Sequence, residues 1–294
     1  MVRFFMMTCW IGLALASVSG CNKFSSQASQ TFSSSTPVSG PITLELEGVN
    51  GGIEVVGADN IDTVEVTAKA KVYAMSKEAA ESWLPSLEPT VELRGDTLTV
   101  VSNPRVRNAM ASVSFQVIVP RGSLVKASTS NGAIEIIGTR SEVAVKTSNG
   151  RVVIEDAKNK IEAKTSNGSI ALKRTEGPVD LSTSNGRIKI DSCSLRGDSK
   201  VRTSNGSVEL MVHSNTPMQL SAHTSNGRIQ CDRSIQLDES RKNHVEGRIG
   251  GGDRDRTDGS IHIKTSNGSI TIDVYSTTSE PEPEVTSTGG IQVS

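Results

Sequence analysis

From residue 129 onward the chain alternates apolar and polar positions in short runs, separated by a recurring tetrapeptide. Thr-Ser-Asn-Gly stands at 129–132, 147–150, 165–168, 183–186, 203–206, 224–227 and 265–268. After most of the glycines every second residue is apolar: Ile134 and Ile136, Val152 and Ile154, Ile170 and Leu172, Ile188 and Ile190, Val208 and Leu210, Ile270 and Ile272. The same alternation precedes several motifs, as Val143 and Val145, Ile161 and Ala163, Val179 and Leu181, Ile261 and Ile263. A period of two marks a strand with one buried face, so each repeat predicts two short strands around a corner.

The asparagines at 131, 149, 167, 185, 205 and 226 are 18, 18, 18, 20 and 21 residues apart. The 41 residues from Asn226 to Asn267 equal two steps if Glu246-Gly247-Arg248-Ile249 is a degenerate copy. Thr286-Ser287-Thr288-Gly289-Gly290-Ile291 reads as a last partial copy. A period near 20 residues indicates stacked units, none able to bury its apolar face alone. The fold class expected is all-β: a parallel β-solenoid of 18–21-residue coils over residues 129–294. Antiparallel hairpins are the rival, since Asn-Gly between alternating runs favours a tight turn. A hairpin, however, has no use for an unvarying Thr-Ser before it, whereas like-on-like stacking does.

Counting alternation through a corner puts Val143, Val145, Thr147 and Asn149 on one face and Val152 and Ile154 on the other parity. The corner must absorb one residue, a role a positive-φ Gly150 could fill. With aliphatics inward on both sides, Thr147 and Asn149 would also point inward. The expectation is an internal ladder of Asn131, Asn149, Asn167, Asn185, Asn205, Asn226 and Asn267, one coil spacing of about 4.8 Å apart.

Residues 41–128 repeat less cleanly, with strand-like runs at 42–48, 52–56, 62–72, 89–94, 97–102 and 113–119 around one short helix. Ser76 suits its N-cap and Pro85 its end. Asn50-Gly51-Gly52-Ile53 matches the corner pattern, so this region reads as a β-rich cap on the open end of the stack.

Residues 1–20 carry Arg3, an apolar run from Phe4 to Ala16 and small residues before Cys21. The run is too short to span a bilayer and reads as a signal peptide. Val18-Ser19-Gly20-Cys21 resembles a bacterial lipobox, which implies lipidation of Cys21 and a membrane anchor in the cell envelope. Residues 21–40, rich in Ser, Thr and Gln, read as a flexible tether. Without residues 1–20 the chain keeps 30 basic and 32 acidic side chains, net −2, a balance that argues against general nucleic-acid binding. Aromatics at 3% suit a narrow core of stacked aliphatics. Cys193 and Cys231 fall in coils two apart and are expected to stay unpaired, because two steps of about 4.8 Å put their backbones about 9.6 Å apart, beyond the roughly 7 Å limit of a disulfide.

With its serial Ser-Asn-Gly-x-Ile coils, early Asn50-Gly51-Gly52-Ile53 strand pair, Val119-Pro120-Arg121-Gly122 segment and Gly247-Arg248-Ile249-Gly250-Gly251-Gly252 stretch, the chain resembles the bacterial putative-adhesin domains of unknown function. The resemblance covers about residues 41–294. It implies a parallel β-solenoid, an adhesin-like or structural envelope role, and no catalytic residues or cofactor.

The strongest enzymatic alternative is a polysaccharide lyase or hydrolase, which needs two suitably spaced carboxylates on one face. The outward row three residues after each glycine places no two acids side by side. The four histidines, His213, His223, His244 and His262, fall at different phases of the repeat, so no metal site is expected. Asp253 to Asp258 resemble a calcium loop only loosely, with Gly259 one place late and Lys264 where a Glu is needed. One surface feature recurs at fixed phase: Lys146, Lys164 and Arg202 before the motif, and Arg151, Arg187 and Arg228 after it. These rows suggest either a solvated face or a site for envelope polysaccharide or another polyanion.

Overall fold

The computed structural model describes residues 26–102, 106, 109–214, 216–250 and 258–276. Cys21 with the leader, most of the loop at 253–258 and the partial copy at 286–291 lie outside the described residues. Alternating residues form the expected strands, arranged as one 11-stranded and one 12-stranded sheet. A coil consists of one strand from the second of these sheets, the tetrapeptide corner, and one strand from the first. Val143–Thr147 and Val152–Glu155 make such a coil, pairing in parallel and in register with Ile161–Thr165 and Ile170–Lys173. Aliphatics fill four inward columns, for example Ile134, Val152, Ile170, Ile188 and Val208, each 0% exposed. Ser199 occurs in a column of aliphatics, and its buried Oγ accepts the Val179 N–H at 3.2 Å. The helix Lys77–Trp83 is capped by Ser76 Oγ, and the 3-10 turn Leu84–Leu87 follows it around Pro85.

The order of coils in space differs from their order in the chain at both ends. Among the described residues the stack has nine layers. It begins with Thr97–Val101 and Met110–Pro120, and Thr43–Glu47 and Ile53–Ala58 come second. Leu124–Thr129 and Ile134–Ile137 are third, and four further coils follow in sequence to Val208–His213. The next layer is Ser260–Thr265 and Ile270–Tyr275, and Met218–Thr224 with Ile229–Cys231 lies outermost. The last described coil therefore inserts between two coils that precede it in sequence. Glu246-Gly247-Arg248-Ile249 is not a degenerate coil, because His244–Ile249 runs antiparallel to Met218–Thr224 and forms a hairpin with Gln236–Arg241.

Among the described residues antiparallel strands close three of the four ladder ends, which an open solenoid would leave free to pair with other chains, while Ile229–Cys231 remains the edge of the first sheet. Thr63–Ala74 lies antiparallel to Met110–Pro120, and Ser26–Pro37 lies antiparallel to Thr63–Ala74 along its whole length. Residues 26–37 are thus a strand rather than part of a flexible tether, with Ala28 and Phe32 buried. Residues 41–128 form an early, decorated end of the solenoid itself: Thr43–Glu47 and Ile53–Ala58 are full members of the stack. Thr90–Arg94 edges the other sheet, and its mostly exposed residues include Glu92 and Arg94.

Glycine 150 does not adopt positive φ. Left-handed residues instead turn the opposite corner, at Gly138, Asp156, Arg174 and Ser192, each seven residues after its asparagine. The repeat glycines serve close approach. A Cβ on Gly150, Gly168 or Gly186 would stand 1.8, 1.8 or 1.9 Å from the preceding coil's glycine oxygen. Both described cysteines are free, and Cys231, in register with Ile272 in the outermost coil, is only half-buried.

Gly168→Ala should therefore lower stability by about 3 kcal/mol, since over-packing costs roughly 1–3 kcal/mol even where neighbours can shift and here the obstacle is backbone. Gly52→Ala, whose Cβ would meet its nearest atom at 3.6 Å, should be tolerated. Urea denaturation of both variants checks this, and equal midpoints would show that the corner glycines are not needed for close approach.

Candidate functional site

Each motif corner is a Lys/Arg/Ser/His-Thr-Ser-Asn-Gly-x segment in which threonine points inward while serine and asparagine point outward. The seven motif threonines are buried, at 0–7% exposure, whereas the seven motif asparagines are exposed. The expected internal asparagine ladder is therefore an external one. Parity fails at the corner because the chain turns there and two consecutive side chains face solvent.

The outward ladder is continuous. Asn131 Nδ2 donates to Asn50 Oδ1 at 2.8 Å, and Asn149, Asn167, Asn185 and Asn205 each donate to the preceding asparagine at 2.8 Å. Asn267 donates to Asn205 at 2.8 Å, and Asn226 to Asn267 at 2.9 Å. All seven expected asparagines are brought together, with Asn50 added at one end and Asn226 displaced to the other. Beneath the side chains, backbone N–H groups of Asn149, Asn167 and Asn185 donate to Ser130, Ser148 and Ser166 oxygens at 2.8–2.9 Å.

The inward bond was missed by sequence reasoning. Thr147 Oγ1 donates to Gly132 O at 3.1 Å, Thr165 to Gly150 at 3.1 Å, Thr183 to Gly168 at 2.9 Å and Thr203 to Gly186 at 3.0 Å. Thr265 and Thr224 repeat it with Gly206 and Gly268. A buried carbonyl needs a partner, and threonine supplies one while its methyl group packs with the aliphatics. The unvarying threonine was the available signal.

The basic rows flank this ladder. Along the second sheet's outer row the neighbours run Glu47, Ser128, Lys146, Lys164, Ser182, Arg202, Lys264 and His223. After the glycines the row reads Ala133, Arg151, Ser169, Arg187, Ser207, Ser269 and Arg228, so Arg187 and Arg228 stand three coils apart. Lys164 pairs with Glu162, and Arg187 lies 3.4 Å from Glu209 and donates to Ser207 Oγ. Lys146, Arg151, Arg202 and Arg228 are exposed and make no ion pair among the described residues. At its outermost end the strip opens into a groove of about 740 Å3 lined by Asn226, Arg228, Lys242 and Asn243.

Away from the corner, cations have acidic neighbours in register. Lys126 meets Glu45 at 3.1 Å, Lys160 meets Glu142 at 3.2 Å, Lys158 meets Glu176 at 3.1 Å and Lys173 meets Glu155. Arg174 grips Asp156 with two bonds of 2.8 and 2.9 Å, and that hydrogen bonding holds the Asp156 carboxyl below the usual carboxylate range. The spatial order also corrects the acid census, because Glu54 stands in register with Glu135 on one outward row.

A family model, Toastrack DUF4097, matches residues 106–273, more than half of the chain. The chain belongs to the Toastrack DUF4097 family. Its two stacked, largely parallel sheets are the Toastrack fold. Among solved structures, a putative cell adhesion protein from Clostridium sporogenes is 12% identical, covering 84% of this chain and 100% of its own, with a TM-score of 0.35. A putative adhesin from Bacteroides fragilis (12%; 84% and 97%; 0.37) and a putative lipid binding protein from Parabacteroides distasonis (12%; 83% and 97%; 0.33) are similar to the same degree. Likeness at this level carries no functional weight for this Toastrack chain. No curated protein matches the sequence.

Thr183→Val should cost about 1–3 kcal/mol by leaving the Gly168 carbonyl buried without a donor, whereas Asn185→Ala, exposed and replaceable by water, should cost about 1 kcal/mol. Denaturant titration checks the order; a larger loss for the asparagine would mean that the outer ladder, not the inner one, holds the corner.

Proposed function

We propose that the corner strip is a binding surface for an anionic polymer of the bacterial envelope, carried by a protein anchored to a membrane through lipid on Cys21. The contrast between paired cations on the faces and unpaired Lys146, Arg151, Arg202 and Arg228 at the corner supports this reading. The asparagine ladder holds these charges along roughly 24 Å, from the Asn149 coil to the Asn226 coil in five steps of about 4.8 Å. Serine hydroxyls and asparagine amides between them offer donors to sugar hydroxyls and to carboxylate or phosphate oxygens. Single exposed contacts are weak, but a polymer that engages several in series gains effective concentration. The lipobox at residues 18–21 supports the anchor, since several acyl chains make a stable attachment at about 0.8 kcal/mol per buried methylene.

Combining Lys146→Glu, Arg151→Glu and Arg202→Glu should abolish retention on a sulfated-polysaccharide matrix at low salt. The matched reversal of Lys126, Lys160 and Lys173, which changes net charge equally, should spare most of it. Equal loss from both sets, or no retention of the wild type, would leave the corner a solvated face.

Cys21→Ala should move the protein from the detergent phase to the aqueous phase in two-phase extraction. Unchanged partitioning would refute the anchor.

A further inference from the structure

The out-of-order end gathers side chains that the repeat alone keeps apart. On the outer face of the second, 12-stranded sheet, His223 opposes His244, Ser221 opposes Glu246, and Ser221 also neighbours His262. Three of the four histidines of the chain thus share one face, against the expectation from their phases. Across the hairpin, the register shifts between Leu237 and Glu239, so that one strand carries an extra residue and Glu239 stands directly opposite Glu246. Such a bulge re-aims a side chain; here it brings Glu239 to the face that already holds His244 and Glu246.

Two carboxylates directly opposite one another destabilise a strand pair unless something offsets their repulsion. Arg241 reaches Glu239 at 2.8 Å, and His244 Nε2 lies 3.3 Å from Glu246 Oε1. One ligand atom each from Glu239, His244 and Glu246 lies within 4.8 Å of the others. Ligand atoms about 2.1 Å from a tetrahedral zinc ion stand roughly 3.4 Å from one another, so side-chain shifts of up to about 1.4 Å would close the set. The His244 ring centroid is 6.0 Å from that of His223, which borders the site together with Lys264.

We propose that Glu239, His244 and Glu246 bind a divalent transition-metal ion, with nitrogen and oxygen donors of the kind zinc accepts. The site lies at the outermost end of the stack, beside His223 and Lys264 of the basic row, and its metal binding does not depend on a bound polymer. A bound ion would neutralise the opposed glutamates and tie the hairpin strands Gln236–Arg241 and His244–Ile249 together.

Calorimetric titration of the protein with Zn2+ should show one site. His244→Ala and Glu239→Gln should each weaken it at least tenfold, since losing a mere outer-shell partner already costs about 10–100-fold, while Cys231→Ser should leave it intact. Zn2+ should also raise the melting temperature of the wild type and not of Glu239→Gln, a conservative change that preserves the exposed hairpin. Absence of saturable binding, binding that survives both substitutions, or binding lost with Cys231→Ser would overturn the assignment.

Discussion

The approach of successive glycine backbones at the corner is the constraint from which the rest of the structure follows. A side chain on Gly150 or Gly168 would stand 1.8 Å from the neighbouring coil's carbonyl oxygen, so only glycine lets one corner nest in the next. Nesting buries that carbonyl, and the buried threonine hydroxyl satisfies it from inside. With Gly and Thr fixed, the outward asparagine amide falls on its neighbour with no freedom of register. One residue of slip would turn each strand's apolar set to solvent; the three bonds at every corner forbid it. Register then decides which charges meet on the faces, and so which remain unpaired.

Much of this was legible in the sequence because period-two alternation and an unvarying tetrapeptide report the same repeat independently. The strands at residues 43–47, 53–58, 90–94 and 97–101 fall within or close to the runs that alternation marks. Alternation could not show where the asparagines point, because counting parity assumes an extended chain and the corner is a turn. Threonine carried the missing signal. Its β-branch suits a packed strand and its hydroxyl reaches a carbonyl, so a threonine beside an aliphatic column is the better candidate for the inward position than an asparagine with a full amide to satisfy.

Spatial order was hidden for a different reason. A repeat gives distance along the chain, and the 41 residues from Asn226 to Asn267 fit two coils as well as one coil plus a hairpin. The hairpin is the physical answer, because an end coil needs cover for its open ladder. His244-Val245-Glu246-Gly247 lacks the Thr-Ser that nesting requires and has Gly247 pressed against the Gln236 carbonyl, the mark of a strand pair and not of a corner. At the other end Asn50-Gly51-Gly52-Ile53 did carry the motif, and it joins the array through Asn131. Both ends therefore obey one rule: the layer beside the antiparallel cover is made out of sequence. That rule also explains why three histidines at unrelated phases converge.

The functional reading depends on where that register leaves charge uncompensated. Face cations such as Lys126, Lys160 and Lys173 sit opposite acids on the next coil, an arrangement that avoids repulsion between stacked like charges and contributes little else, since exposed pairs are worth about 0–1 kcal/mol. If solubility alone governed the corner, the same alternation would suffice there. Instead the row after the glycines separates its arginines with serines, and Lys146 and Arg202 stand without acidic partners. Serine reduces repulsion without cancelling charge, so the strip keeps a positive potential although the whole chain is slightly acidic. Screening confines that potential to about 8 Å at physiological ionic strength, a range that favours ligands lying along the corner over those passing at a distance. A long anion laid against the stack meets this geometry at several coils; a small one meets it at one.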